Sequence, residues 1–222
     1  MTLEKTTAIT LKTIPYKENS KILKLFSKDH GIISVIINNL SSKKNNFFKL
    51  ASVFTISEID LKKSSSEIFN VKDCDILDEN LFLRSNLQYI KTASYMINAI
   101  LSSYYYKTNS LKIFFLIQNY IKNIPLNPNA LYLSFLLKIL LSYGNINISF
   151  KCSICKEQAL YLEKGDSLCK NHKTVYSAEF EEDDFKTLYI LTNAKSFNYL
   201  KSLHISNDFI EKVKNIFDEI TS

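Results

Sequence analysis

The sequence predicts an α+β chain: an N-terminal five-stranded OB-fold barrel, then an α-helical domain that carries a small zinc-knuckle module as an insertion. Three observations predict it. Short runs rich in Ile, Val, Thr and Phe with alternating polarity fill the first 78 residues, as half-buried strands do. From about Asp78 the apolar residues recur at helical spacing instead. Within the helical part, Cys152-x-x-Cys155 and Cys169-x-x-His172 are separated by thirteen residues, a metal-ligand spacing. Domains are therefore expected at 1–78 and 79–222, with the insertion at 151–178.

Residues 6–14, 21–26 and 32–37 read as the first three strands. The polar stretch Ser27-Lys28-Asp29-His30-Gly31 joins the second to the third, with Gly31 supplying positive φ. In 50–61, Val53, Thr55, Ser57 and Ile59 alternate with Phe54, Ile56, Glu58 and Asp60, a fourth strand; 67–77 is the fifth. Five short strands in so little chain suit a small closed barrel. Next, Leu83, Leu87, Ile90, Ala93, Ile97 and Leu101 share a helical face. Asp78 and Glu79 are expected to open that helix, where the dipole favours acids. Residues 110–122 form a second helix, which Pro125 and Pro128 break. A third, 129–143, ends at Gly144 as its left-handed stop. Helices are expected over 181–191, 195–203 and 207–220, the last capped by Ser206, Asn207 or Asp208.

Composition excludes several classes. The chain of 222 residues has three Gly and three Pro, where average usage gives about 15 and 11. No Gly-rich phosphate loop can be assembled from Gly31, Gly144 and Gly165. No apolar N-terminal segment follows Met1, and the apolar run 131–143 is interrupted by Ser134, Lys138 and Ser142. The expectation is a cytoplasmic protein without a membrane span. The formal net charge of +6 hides an uneven distribution. Residues 1–63 and 81–150 each carry +6, the second block without a single acid, whereas 64–80 and 179–222 each carry −4. Two basic blocks point to polyanion-facing surfaces.

The Cys/His pairs place four soft donors on two facing turns, the arrangement that tetrahedral Zn²⁺ needs. Cys152, Cys155, Cys169 and His172 are the expected ligands, with Gly165 in the turn between them. Four protein ligands leave no open position for water, so the zinc is expected to be structural. Isolated buried cysteines or a redox Cys-x-x-Cys explain the matched second pair less well. Cys74 is expected in the core, and Glu181-Glu182-Asp183-Asp184 at a helix start. Three histidines give no catalytic arrangement, so an enzyme is not expected. On the barrel, Lys12, Lys21 and Lys24 lie on the first two strands, Lys43 and Lys44 in the polar loop, and Lys49 just beyond. OB barrels bind single strands by combining a positive groove with aromatic platforms, here Phe47 or Phe48.

With barrel, helices and knuckles in this order, the sequence resembles the RecO family of bacterial recombination mediators. Three stretches carry the resemblance. Pro15-Tyr16-Lys17-Glu18-Asn19-Ser20 leading to Phe26-Ser27-Lys28-Asp29-His30-Gly31 looks like that family's opening hairpin. Residues 41–50 occupy the place of its basic loop. Phe135-Leu136-Leu137 through Leu140-Leu141-Ser142-Tyr143-Gly144 and on to Cys152-x-x-Cys155 looks like its helix-to-knuckle junction. Zinc-carrying members usually present four Cys, so His172 is a departure, as are Lys and Asn for Arg and Gly in the loop.

The resemblance implies a non-enzymatic protein of DNA repair and recombination, cytoplasmic and associated with the nucleoid. It implies binding of single- and double-stranded DNA and annealing of complementary strands. It also implies cooperation with RecR in loading RecA onto strands coated by single-strand-binding protein. The acidic, apolar-ended tail of that coating protein would suit the acid-free block, with Lys91, Lys107, Lys112 and Lys122 as rim charges. The competing reading is a zinc-ribbon, RNA-binding scaffold of transcription or ribosome assembly.

Overall fold

The computed structural model describes residues 3–38, 45–62, 68–103 and 110–222. Two compact units emerge: the described residues of 1–87 and 104–115, and those of 88–103 and 116–222.

The first unit is a closed barrel of strands β1 (Leu3–Tyr16), β2 (Ser20–Ser27), β3 (Gly31–Ile37), β4 (Ile56–Lys62) and β5 (Phe69–Asp78). Their order is β1-β2-β3-β5-β4, closed by antiparallel pairing of β4 with β1. The parallel β3–β5 pairing, Val35↔Phe69 and Ile36↔Asn70, completes the OB arrangement. Alternation decides which side chains enter. Leu23 and Leu25 of β2, Ile33, Val35 and Ile37 of β3, Ile59 and Leu61 of β4, and Val71 and Cys74 of β5 share one core. Each fully buried Leu or Ile there contributes roughly 1.5–3 kcal/mol. Gly31 takes φ 69° at the β2–β3 turn, as its place in the hairpin requires.

The barrel differs from the sequence reading at its fourth strand. Residues 45–50 form a short helix, α1 (Asn45–Leu50), and β4 begins only at Ile56. Phe47, Leu50 and Ala51 join the barrel core; their i, i+3, i+4 spacing is helical and outweighs the alternation that follows. The Thr10 and Thr13 hydroxyls donate to the Leu50 and Ala51 carbonyls, both at 2.7 Å, fixing the chain beyond the helix. Phe54 then takes φ 73°, which no strand accommodates.

The helix expected from about Asp78 is also corrected. Leu81–Ser85 is a 3-10 turn, and α2 spans Leu87–Ser103. Asn80, left-handed at φ 47°, donates its side-chain amide to the Phe54 carbonyl at 2.9 Å and its N–H to Asp78 at 2.8 Å. Asp78 and Glu79 therefore serve the strand exit rather than a helix dipole.

In the second unit, α3 (Ser110–Asn123) contributes from Leu116 onward, beside α4 (Pro128–Tyr143), α5 (Glu182–Asn193), α6 (Asn198–Lys201) and α7 (Asn207–Thr221). α4 is the centre, buried on nearly every side, which is why its sequence reads as one apolar run. The polar interruptions have partners. The Ser134 hydroxyl donates to the Leu191 carbonyl at 2.6 Å, and the Lys138 ammonium to those of Thr192 and Ala194. They satisfy carbonyls that the end of α5 leaves open. α7 presents Phe209, Val213, Ile216 and Phe217 as its buried stripe, and Ser206 caps it by accepting from the Phe209 N–H. The helix expected over 195–203 shrinks to the single turn of α6. Gly144 stops α4 at φ 77°.

Candidate metal centre and nucleic-acid face

Between α4 and α5, strands β6 (Tyr161–Glu163), β7 (Asp166–Leu168) and β8 (Ala178–Glu179) form a small sheet in the order β7-β6-β8. Glu163 pairs with Asp166, leaving Lys164 and Gly165 as a two-residue turn with both φ positive, at 48° and 88°. Two positive φ values in succession give the hairpin turn that matches strand twist. Gly165 is obligatory for a second reason: a Cβ there would meet the Asn145 carbonyl oxygen at 2.0 Å.

The two ligand turns flank this hairpin. Cys152 donates its N–H to the Glu157 carbonyl at 2.7 Å and accepts on its own carbonyl from Lys156, which sits at φ 68°. The Cys169 carbonyl accepts from the N–H groups of His172 and Lys173, at 3.1 and 3.0 Å. These folds bring Cys152, Cys155, Cys169 and His172 together, with all four donor atoms within 4.8 Å of one another. The Cys155 and Cys169 sulfurs are 3.5 Å apart; His172 Nδ1 lies 3.3 Å from Cys169 Sγ and 3.7 Å from Cys152 Sγ. A tetrahedral ion with bonds of about 2.3 Å to sulfur and 2.0–2.1 Å to nitrogen has edges of roughly 3.5–3.8 Å, so the spacings fit one ion. Burial pushes the Cys152 thiol up. The backbone N–H groups of Cys155, Ile154 and Cys169, with the Cys155 side chain, outweigh it and hold the thiol at about 6. At Cys155 the Glu157 N–H pulls the thiol down, but burial and the neighbouring Cys169 and Cys152 sulfurs outweigh it and push it up to about 11. The pair thus favours a single thiolate, on Cys152. Cys152 and Cys169 are buried with Tyr161 and Leu168, so one side of the site is dry.

On the barrel, strand register sorts the lysines. Lys12 and Lys24 are direct cross-strand partners across the β1–β2 pairing, immediately after a bulge in β1, and both are exposed. Alongside them run Ile14, Ile22 and Ile36, partnered in sequence across three strands. Tyr16, 40% exposed, continues the row, with the Lys17 ammonium 5.5 Å from its ring centre. Lys21 has the strand parity of the inward Leu23 and Leu25 and lies half-buried opposite Ile37, off the outer row of Lys12 and Lys24. Lys49 is held by Glu79 at 2.7 Å. Lys43 and Lys44 lie outside the described residues. Of the expected aromatic platforms, Phe47 is buried in the core and Phe48 is exposed. Sequence reasoning missed Tyr16, whose strand parity beyond the bulge was its only signal.

A family model described as "Recombination protein O N terminal" matches residues 1–80, the barrel. Over nearly the full length the chain is similar to "DNA repair protein RecO" of Chlamydia muridarum, 24% identical across 94% of this chain and 92% of that one. The protein of the same name in Clostridium novyi is 26% identical across 100% and 89%. The barrel thus matches the RecO N-terminal model, and the chain as a whole is similar to RecO proteins. A third relative, from Mesoplasma florum, is 26% identical across 87% of this chain and 76% of its own.

The other expected contacts separate by unit. Lys91 on α2 and Lys122 on α3 belong to the helical unit, Lys112 to the barrel unit, and Lys107 lies outside the described residues. The helical unit also has a groove of about 400 Å³ lined by Leu116, Tyr120, Lys138, Lys195, Phe197 and Leu200. Among the described residues, no helix is long and apolar enough to cross a membrane.

Proposed function

We propose that the chain is a DNA-binding recombination mediator that acts without catalysing a covalent step. Its barrel holds single strands on the β1–β2–β3 face. Lys12 and Lys24 supply charge against the phosphates, and Tyr16 with Ile14 and Ile22 supplies a surface for bases. The observation that carries this reading is that cross-strand lysine pair beside an exposed aromatic, on a barrel matched by the RecO N-terminal model. Annealing follows physically, because a lysine face screens repulsion between two phosphate backbones. Double-stranded DNA would use the same charges, and Lys43 and Lys44 would extend them. Zn²⁺ is the proposed ion at Cys152, Cys155, Cys169 and His172, since the three-sulfur, one-nitrogen set suits it. Its role is structural.

Cooperation with RecR in loading RecA onto coated strands belongs to the same proposal. So does capture of the coating protein's acidic, apolar-ended tail by the helical groove, where Lys138 and Lys195 flank Tyr120 and Phe197. The test is annealing of complementary oligonucleotides, bare and coated with single-strand-binding protein, by the wild type and by Lys12→Glu/Lys24→Glu. Annealing by the wild type that the variant loses supports the proposal. Binding to structured RNA with no annealing overturns it in favour of an RNA scaffold.

A further inference from the structure

The acidic stretch 64–80 finds no use in DNA binding, and register shows where its charges lie. On the outer side of the β4–β5 pairing, Glu58 faces Asp75 and Asp60 faces Asp73. Like charges directly opposite one another on neighbouring strands destabilise a sheet, so folding does not call for them. Lys5 of β1 stands among these carboxylates. Its ammonium binds Glu58 at 2.8 Å and is held above its ordinary range by that contact and by the charges of Asp60 and Asp75.

The same outer row of β5 continues from Asp73 and Asp75 to Leu77, which is 58% exposed. Leu77 lines a groove of about 690 Å³ together with Leu81, 53% exposed, and Phe82, 37% exposed, and with Asp75, Asp78 and Glu79. Lys49 also lines it, but its charge is spent on Glu79. Three exposed apolar side chains in one groove mark a contact surface, and the charge beside them selects what it accepts. A nucleic acid is repelled there. A lysine- or arginine-rich polypeptide with apolar side chains on one side meets both features.

We propose that this groove and the adjoining β4–β5 face dock a basic, amphipathic segment of a partner protein, on a different side of the barrel from the Lys12–Lys24 pair. The inference does not depend on the DNA reading. The test uses the full chain and a labelled synthetic peptide alternating Lys or Arg with Leu, a matched peptide with Glu for the basic residues, and Mg²⁺. Two variants are compared, Asp73→Asn/Asp75→Asn and Leu81→Ser/Phe82→Ser, all at exposed positions. The cationic peptide should bind the wild type and lose about tenfold in affinity in each variant, and the acidic peptide should not bind. A loss in the carboxylate variant alone means unspecific ion pairing and overturns the proposal. So does displacement of the peptide by an oligonucleotide, or thermal stabilisation by Mg²⁺ that vanishes in Asp73→Asn/Asp75→Asn.

Discussion

Single residues divide into those whose chemistry announces itself and those whose role depends on geometry. The four metal donors belong to the first kind. Cys-x-x-Cys and Cys-x-x-His at matched spacing have few other uses, and the structure brings all four together. Cys155→Ser should lower bound metal sharply, as measured by atomic absorption of purified protein. An unchanged content would remove Cys155 from the site. Gly165 was legible as a turn residue, but the approach of the Asn145 carbonyl was not, because its cause lies twenty positions upstream. Gly165→Ala combines that clash with a φ of 88°. It should cost at least about 2 kcal/mol in chemical denaturation, whereas Gly144, with nothing within 4 Å of its missing Cβ, should tolerate Ala better. Lys12 and Lys24 were visible as lysines, but their pairing depends on a bulge that alternation cannot reveal.

At the level of elements, four of the five strands were readable from alternation to within three residues at either end. The fourth was over-extended because 50–55 alternates by accident of composition while Leu50 and Ala51 complete a helical face begun by Phe47. The start of α2 failed for a similar reason. Acids ahead of an apolar period look like a helix opening, yet Asp78 and Glu79 are bound to Asn80 and Lys49. Cross-strand charge was beyond the sequence as well, since Asp60 and Asp73 become neighbours only once register is set. Asp73→Asn relieves that pair while its side chain can still accept from the Cys74 N–H. It should stabilise the fold by about 0.2–1 kcal/mol in thermal melts at low salt. The gain should shrink as ionic strength rises.

For the molecule as a whole, the net charge of +6 is less informative than its division. One barrel carries a lysine pair on β1–β2 and paired carboxylates on β4–β5, so DNA affinity should respond to substitutions on one side and not the other. In single-strand binding titrations over a range of salt, Lys12→Glu/Lys24→Glu should flatten the logarithmic slope by roughly 0.7 for each phosphate that is no longer neutralised. Asp73→Asn/Asp75→Asn should leave the slope unchanged.

The hairpin that the two ligand turns flank is stitched to the exit of α4. The Asn147 N–H donates to the Gly165 carbonyl at 2.8 Å, and Asn147 bridges to Asp166. The binding energy of an ion held there would thereby be lent to the helical core as well as to the two ligand turns. Chelation should accordingly behave like the removal of a keystone. Amide exchange should quicken along α4 and the melting of the helical unit should shift downward, where a detachable finger would fray by itself.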